Sequence, residues 1–255
     1  MLEIEQIPVL KDNYVYLVRE SQSGLVGVVD PAVAEPVEAR LALRGWRLTH
    51  ILNTHHHMDH VGANLALKAA HGCTIVGAAC DRARIPGLDV AVADGERFAF
   101  GAETAEIIEV PGHTTGHIAY WFAHANALFC GDTLFALGCG RMFEGTPPMM
   151  WRSLSRIRAL PDDALVHCAH EYTQSNARFA LAVDGANADL QAYSRRVDEL
   201  RAAGRPTVPS RLGEEKRANP FLRADQPALA AAVGLARTAD PADVFGALRR
   251  KKDSF

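Results

Sequence analysis

Alternating and continuous runs of apolar residues in the first 170 positions predict short β-strands interleaved with helices. The segments 14–18 and 25–29 are rich in Val, Tyr and Leu, and Gly24 lies between them, so we expect two strands joined by a turn. Helices are predicted at 35–45, 61–71 and 148–159, and further strands at 48–53, 74–76, 96–100, 104–110, 118–123, 127–130 and 164–168.

The character of the sequence changes after residue 172. Ala, Leu, Arg and Glu dominate there, and the strand pattern disappears. Helices are predicted at 173–184, 187–203, 226–234 and 241–251, and a stretch with Pro and Gly at 204–220 separates the middle pair. The expected fold class is therefore α/β, with a mixed domain over residues 1–172 and a smaller helical domain over residues 173–255.

Composition and charge argue against several classes of protein. The chain has 255 residues, 48% of them apolar, and a net charge of −3 with a pI near 6.4. No bulk positive field is available to hold nucleic-acid phosphates, so we expect no nucleic-acid partner. The first residues lack a cationic segment followed by an apolar one, and no apolar run is long enough to span a membrane. We therefore expect neither export nor a membrane partner.

The five cysteines favour a reducing compartment. Their number is odd and no CxxC spacing occurs, which is not the pattern of a disulfide framework. Together with the missing export signal, this pattern predicts a cytoplasmic protein.

The segment from Thr54 to His60 carries the most specific chemical signal in the chain. It reads H-x-H-x-D-H, with His55, His57, Asp59 and His60 directly after a predicted strand. Imidazole and carboxylate groups suit zinc and other borderline divalent metals. Ligands packed so closely serve one metal only with difficulty, whereas on a turn the first two and the last two can form separate sets. Two metals are therefore expected.

Three later segments supply further candidate ligands, each at the end of a predicted strand. They are His113 in Pro111-Gly112-His113, Asp132 in Cys130-Gly131-Asp132, and His170 in Cys168-Ala169-His170. Because α/β active sites gather at strand ends, we expect these side chains at one edge of a sheet. Asp132 has two carboxylate oxygens and can therefore bridge two metals.

Most other histidines and cysteines have ordinary structural interpretations. A histidine after a strand is more often packed or solvated than bound to metal, and this interpretation applies to His50, His56, His71, His117, His124 and His167. Cys130 and Cys168 lie in apolar strands and are expected in the core, whereas the role of Cys139 in a Gly-rich loop stays open. A fortuitous metal-binding tract is the alternative for the histidine run, and its strand-loop-helix setting argues against it.

These residues resemble the metallo-β-lactamase superfamily, whose hallmark is the H-x-H-x-D-H turn, and within it the glyoxalase II family. The second resemblance extends over nearly the whole chain. Its motifs are Asp12-Asn13-Tyr14, Val29-Asp30-Pro31, Thr54-His55-His56-His57, and the segments 130–135, 138–141, 143–146, 168–173, 219–223 and 249–253. The C-terminal motifs matter most, because many activities share the metal motif.

The resemblance implies an αββα sandwich followed by a helical substrate-binding domain, and it assigns roles to residues. The implied ligands are His55, His57 and His113 for the first metal, Asp59, His60 and His170 for the second, and Asp132 as the bridge. The implied glutathione contacts are Arg141, Phe143, Tyr172, Arg249 and Lys252.

Three positions depart from the more familiar eukaryotic pattern. Arg141 stands in place of Lys and keeps the charge, Phe143 stands in place of Tyr and lacks a hydroxyl, and Met58 replaces His or Trp. The basic C-terminus fits the two carboxylates of glutathione. Cations in the last turn of a helix also complement the helix dipole, which is the alternative interpretation of the same residues.

The implied reaction is hydrolysis of S-D-lactoylglutathione to D-lactate and glutathione by a metal-bridged hydroxide, the second step of methylglyoxal detoxification. Two divalent ions per chain are expected, Zn first, with Fe or Mn as alternatives. His55, His57 and Asp59 are expected to take part in catalysis, Asp59 by orienting the hydroxide. Asp30 is expected to align a ligand histidine. Nothing in the sequence demands more than a monomer.

Other activities of the same fold are the alternatives. Glutathione persulfide dioxygenase, which uses a single iron, is the main rival, and the retention of both ligand sets favours the hydrolase. A secreted lactamase is disfavoured by the missing export signal, and a nuclease is disfavoured by the charge. A non-enzymatic metal-binding or scaffolding protein is disfavoured because every expected ligand is present.

Overall fold

The computed structural model describes all 255 residues, which form two compact units. The first unit contains Met1–Glu109 and Gly116–Gly131, and the second contains Val110–Thr115 and Asp132–Phe255. No helix has the length and apolar character that a membrane span requires.

A six-stranded sheet forms one part of the first unit, with its strands in sequence order. The strands are β1 (Leu2–Val9), β2 (Asn13–Glu20), β3 (Val26–Val29), β4 (His50–Leu52), β5 (Thr74–Ala78) and β6 (Val90–Val92). The first three pair antiparallel through tight turns, whereas β3 to β6 pair parallel and need crossover connections. Those connections carry α1 (Ala34–Arg44), α2 (Met58–Val61) and α3 (Asn64–His71).

The other strands of the first unit pair antiparallel in the order β7-β8-β9-β10. They are β7 (Arg97–Phe100), β8 (Glu103–Glu109), β9 (Ile118–Phe122) and β10 (Ala127–Gly131). β9 and β10 are buried along their whole length, which explains why their sequences are continuously apolar. The hydroxyl of the fully buried Tyr120 in β9 donates to the carbonyl of Asn53, 2.9 Å away, at the start of the histidine-rich loop.

The second unit is mostly helical. Its helices are α4 (Pro147–Arg158), α5 (Thr173–Asp184), α6 (Ala188–Ala202), α7 (Leu212–Ala218), α8 (Pro227–Ala232) and α9 (Pro241–Asp253). Its strands are the hairpin pair β11 (Leu134–Phe135) and β12 (Gly138–Cys139), and the antiparallel pair β13 (Leu165–Cys168) and β14 (Ser210–Arg211). Leu137 at the hairpin turn packs in an apolar cluster with residues of α5 and α6, including Ala180 and Leu190.

Most elements agree with the sequence predictions, and the exceptions have local causes. The predicted helix at 61–71 is split into α2 and α3 around Gly62. A Cβ atom on Gly62 would lie 2.6 Å from the carbonyl oxygen of Ala32, so the backbone approaches there too closely for any other residue. The stretch 204–220 was predicted as a separator and contains α7 and β14. β6 and the β11–β12 hairpin were not predicted either.

The β11–β12 hairpin is held by a buried carboxylate. Glu215 in α7 is fully buried, and its oxygens accept from the Leu137 amide at 2.8 Å and from the Tyr193 hydroxyl at 2.8 Å. The Asn219 amide group donates to Glu215 at 3.0 Å and to the carbonyl oxygens of Phe135 and Gly138. Burial raises the pKa of Glu215. These contacts fix the backbone that leads into the segment after Cys139.

We predict that Glu215→Gln lowers the free energy of unfolding by about 2 kcal/mol. The substitution replaces one carboxylate oxygen, which accepts hydrogen bonds, by an NH2 group, which can only donate them and would face the donors that now bind Glu215. Urea denaturation followed by circular dichroism measures the change. The matched control is Glu214→Gln, which removes a partly exposed ion pair with Arg196 and should change stability by about 0.5 kcal/mol. Equal effects of the two substitutions would contradict this account.

Candidate functional site

A buried carboxylate after β3 organises the histidine-rich loop of the first unit. Asp30 adopts a left-handed backbone conformation with φ of 50°, which Asp tolerates better than most residues. Its Oδ1 accepts from the Thr54 amide at 2.7 Å, and its Oδ2 accepts from the Thr54 hydroxyl at 2.7 Å. Oδ2 also lies 3.1 Å from Nδ1 of His60. Asp30 therefore contacts a histidine of the motif, whereas its predicted role of aligning a ligand histidine stays a prediction.

These contacts fix the tautomers of two histidines. Because a carboxylate only accepts, Nδ1 of His60 carries the proton and Nε2 keeps a lone pair. The Thr54 hydroxyl gives its proton to Asp30, so Nδ1 of His55, 3.0 Å from that hydroxyl, must be the donor. Nε2 of His55 therefore keeps a lone pair as well. In both histidines Nδ1 is engaged by a hydrogen bond, which leaves Nε2 as the nitrogen that could bind a metal ion.

The loop arranges its four candidate ligands as the two predicted pairs. Nε2 of His55 lies 3.1 Å from Nδ1 of His57, and Nε2 of His60 lies 3.6 Å from Oδ2 of Asp59. The side-chain amide of Asn13 donates to Asp59 at 3.0 Å and holds its carboxylate. Asp30 also offers an oxygen within 4.8 Å of ligand atoms of His55 and His60, but its hydrogen bonds make it a support rather than a ligand.

His56 points away from the two pairs and anchors the loop through residues that the sequence did not reveal. Its Nδ1 lies 2.9 Å from Oδ2 of Asp81, a buried residue that also forms an ion pair with Arg84. A Cβ atom on Gly116 would lie 2.1 Å from the same carboxylate, so this position must be glycine. The neighbouring His117 stacks on the ring of His55 with centroids 4.5 Å apart. His56 and His117 were predicted to be supporting, packing or solvent-exposed residues, and each has a structural contact of this kind.

The second unit contains the remaining candidate ligands, gathered around Asp132. Oδ2 of Asp132 lies 3.4 Å from Nε2 of His113, and Oδ1 lies 3.4 Å from Nε2 of His170. Nδ1 of His113 lies 2.8 Å from the carbonyl of Arg141, which can only accept, so Nε2 again keeps the lone pair. The ring of Tyr172 stacks on His170 at 4.7 Å and limits its rotation. Asp132 thus offers one oxygen toward each histidine.

A cavity of about 400 Å³ opens beside these ligands within the second unit. Its lining includes His113 and Asp132, and all five residues predicted to contact glutathione: Arg141, Phe143, Tyr172, Arg249 and Lys252. The lining also includes Cys139 and Gly140 of the motif at 138–141, and Ser175 and Asn176, for which the sequence suggested no role. A Cβ atom on Gly140 would lie 1.9 Å from the carbonyl oxygen of Asp132, which explains the glycine before Arg141.

Three cations, Arg141, Arg249 and Lys252, form what we call the cationic wall of this cavity. Arg249 is buried, and its guanidinium donates to the carbonyl of Cys139 at 2.9 Å. The ammonium of Lys252 donates to the carbonyl of Ser175 at 3.2 Å. Burial and the neighbouring charges, Arg249 first, lower the pKa of Lys252 to about 8. Phe143 is 65% exposed and packs edge-on against the ring of His113.

The donor set in each unit suits a metal ion. Imidazole nitrogens and carboxylate oxygens are ligands that zinc, iron and manganese accept. Supporting hydrogen bonds to the far nitrogen of a histidine are the usual surroundings of metal ligands in proteins. His60 and His113 both have such a bond. The clusters of His and Asp are therefore suited to binding metal ions.

Comparison with known proteins first defines the broader class. Residues 10–170 match the Metallo-beta-lactamase superfamily. The crystal structure of ETHE1 from Myxococcus xanthus has a TM-score of 0.68 and 25% identity, and the match covers 97% of this chain and 90% of that one. The structure of TTHA1623 in a di-iron-bound form has a TM-score of 0.60 and 25% identity, and the match covers 86% of this chain and 100% of that one. The predicted fold is confirmed.

The C-terminal part of the chain narrows the class. Residues 171–255 match the family described as Hydroxyacylglutathione hydrolase C-terminus. The hydroxyacylglutathione hydrolase of Methylococcus capsulatus is 60% identical over 255 residues, covering 100% of this chain and 99% of the relative. The chain therefore belongs to the hydroxyacylglutathione hydrolase family of the metallo-beta-lactamase superfamily. The resemblance inferred from the sequence motifs is confirmed.

We predict that Asp30→Asn weakens metal binding by about 10- to 100-fold, because an amide group disturbs the hydrogen bonds that orient His55 and His60. Competition with a chromophoric chelator measures the affinity. Asp89→Asn is the matched control, since Asp89 lies in the same unit and supports Lys68 and the Ile75 amide instead. An unchanged affinity in the Asp30 variant would show that Asp30 does not align the ligands.

Proposed function

We propose that the protein hydrolyses S-D-lactoylglutathione to D-lactate and glutathione with two divalent metal ions. The observation that carries the proposal is the cavity of the second unit, because the same cavity is lined by two candidate ligands, His113 and Asp132, and by the cationic wall. The cations of this wall could pair with the two carboxylates of a glutathione thioester, and the thioester group would then lie near the candidate metal ligands. The relatives named hydroxyacylglutathione hydrolase support this substrate.

The metal ligands that we propose are those of the sequence prediction: His55, His57 and His113 for one ion, Asp59, His60 and His170 for the other, and Asp132 as the bridge. The orientation of Asp132 toward His113 and His170 supports the bridging role. The di-iron form of TTHA1623 supports two ions per chain. Zinc is our first choice, with iron or manganese as alternatives, because the donor set accepts all three.

The chemistry that bound metals supply is a water of lowered pKa and a Lewis acid beside the thioester carbonyl. The side chains of the protein then bind and orient. Asp59 would accept a hydrogen bond from the attacking water, and the hydrogen bond that Asn13 donates to its carboxylate supports this role. His55 and His57 contribute as ligands. Arg141, Arg249 and Lys252 receive the glutathione carboxylates, while Phe143 and Tyr172 pack against the peptide part of the substrate.

Cysteine is not the nucleophile in this proposal. Burial raises the pKa of Cys139 to about 11 and that of Cys168 to about 12, so both remain thiols at neutral pH. The thiol of Cys168 donates to the carbonyl of His170, 3.7 Å away. The thiolate of glutathione is a good leaving group, because the pKa of a free thiol is about 8.5. Little acid catalysis is then needed.

We further propose that residues 1–172 form the catalytic part and residues 173–255 the substrate-binding part of a cytoplasmic monomer. The boundary between the two family matches, at 170 and 171, supports this division. All five cysteines are free thiols, which suits a reducing compartment. The monomeric state rests on the sequence.

The direct test is hydrolysis of S-D-lactoylglutathione by the purified protein, followed at the thioester absorbance. We expect turnover in the wild type and a loss of about 100-fold or more in His57→Ala, together with loss of metal. His71→Ala, a surface histidine paired with Glu38, is the matched control and should keep both. No thioester turnover, with oxygen consumption on glutathione persulfide instead, would replace the hydrolase by a dioxygenase.

We predict that the KM of the wild type rises above pH 8, because Lys252 loses its proton there and no longer attracts a carboxylate. Lys252→Ala should raise KM about 10-fold at pH 7 with little change in kcat. Lys252→Arg stays charged at all accessible pH values and should lack the component of the rise that is due to Lys252. Identical pH profiles of KM for the wild type and Lys252→Arg would contradict the assignment.

A further inference from the structure

The last residue of α9 is a carboxylate where the helix favours a cation. Asp253 ends this helix after Arg250, Lys251 and Lys252, and the carbonyl end of a helix carries partial negative charge. A negative side chain at this end is unfavourable for the helix dipole, and the pair of Arg249 and Asp253 at a spacing of four residues stabilises the helix less in this order than in the reverse one. The helix alone therefore gives little reason for a carboxylate at position 253.

The contacts of Asp253 suggest what it does instead. Its Oδ1 lies 2.9 Å from Nη2 of Arg249 and 3.4 Å from Nε of Arg141. One oxygen thus faces two of the three cations in the wall. Asp253 itself is 41% exposed, as measured on its side chain, so it is reached from solvent while its partner Arg249 is buried.

The side chain of Arg249 is held in place by buried contacts, whereas that of Arg141 is mostly exposed. The guanidinium of Arg249 is held by the carbonyl of Cys139 and lies over the ring of Phe221, with 5.2 Å between the guanidinium carbon and the ring centroid. The side chain of Arg141 is 63% exposed and forms an ion pair with Asp253. A long exposed arginine loses much rotational freedom when it binds a ligand. A carboxylate that already orders it reduces that loss.

We propose that Asp253 is a positioning residue that orders Arg141 against the buried Arg249, so that the cationic wall is formed before an anionic glutathione derivative binds. This inference rests on the proposed function for its substrate class. The groups that the ordered cations bind are the carboxylates of glutathione, and the chemistry at the thioester is unchanged. Asp253 acts through Arg141 and does not itself contact the substrate.

Asp253 has two opposite effects on the binding of an anionic ligand. Its negative charge repels an incoming carboxylate, but it is partly exposed and paired, so water and salt weaken the repulsion. Its ion pair with Arg141 already orders this long side chain and so lowers the entropy cost of binding, which is the larger effect. Removing the charge should therefore weaken binding rather than strengthen it.

The test is calorimetric binding of S-methylglutathione, a thioether that keeps both carboxylates and cannot be hydrolysed. Asp253→Asn should raise Kd about 3- to 10-fold, while the amide oxygen still accepts from the buried Arg249. Asp243→Asn, in the first turn of the same helix, is the matched control and should leave Kd unchanged. Thermal denaturation of each variant shows whether the helix is retained.

A double-mutant cycle separates positioning from a general structural role. In an Arg141→Ala background, Asp253→Asn should have no further effect on Kd. Tighter binding by Asp253→Asn, an unchanged Kd, or an equal loss in both backgrounds would each overturn the inference. The cycle needs no turnover, so binding with the expected coupling but without thioester hydrolysis would contradict the proposed function and retain the role of Asp253.

Discussion

The hydrogen bonds of the Asp30 carboxylate are the contacts on which the candidate metal ligands of the first unit depend. Asp30 accepts from both the amide and the hydroxyl of Thr54 and faces Nδ1 of His60. Through the Thr54 hydroxyl it also determines the tautomer of His55. One buried carboxyl group therefore orients two imidazole rings of the motif. Such advance ordering reduces the cost of assembling ligands around an ion.

In the second unit, the candidate ligands are ordered by a backbone segment that also lines the cavity. The backbone carbonyl of Arg141 fixes the tautomer of His113, while the side chain of Arg141 belongs to the cationic wall. Gly140 makes the close approach to Asp132 possible, and the hairpin before it is anchored by Glu215. A disturbance of this segment would therefore change both the orientation of the candidate ligands and the lining of the cavity, because the same few residues contribute to both.

The sequence predicted most elements and the proximity of the candidate ligand residues within each pair, because both leave local patterns. α5 occupies the predicted range 173–184, and the spacing within 55–60 predicted the two pairs that the structure shows. The supports of the site leave no such pattern. Asp81 meets His56 across 25 positions and Glu215 meets Leu137 across 78, so neither contact has a periodicity or a motif. α7 was hidden because its flanking Pro and Gly residues indicated a loop.

In our proposal, hydrolysis of the glutathione thioester requires two bound metal ions. The most direct measurement is stepwise addition of Zn²⁺ to metal-free protein, with bound metal and the rate of S-D-lactoylglutathione hydrolysis determined at each step. We predict that the metal-free protein is inactive and that the rate reaches its maximum when about two ions are bound per chain. Full activity without metal, or maximal activity at one ion per chain, would contradict the claim.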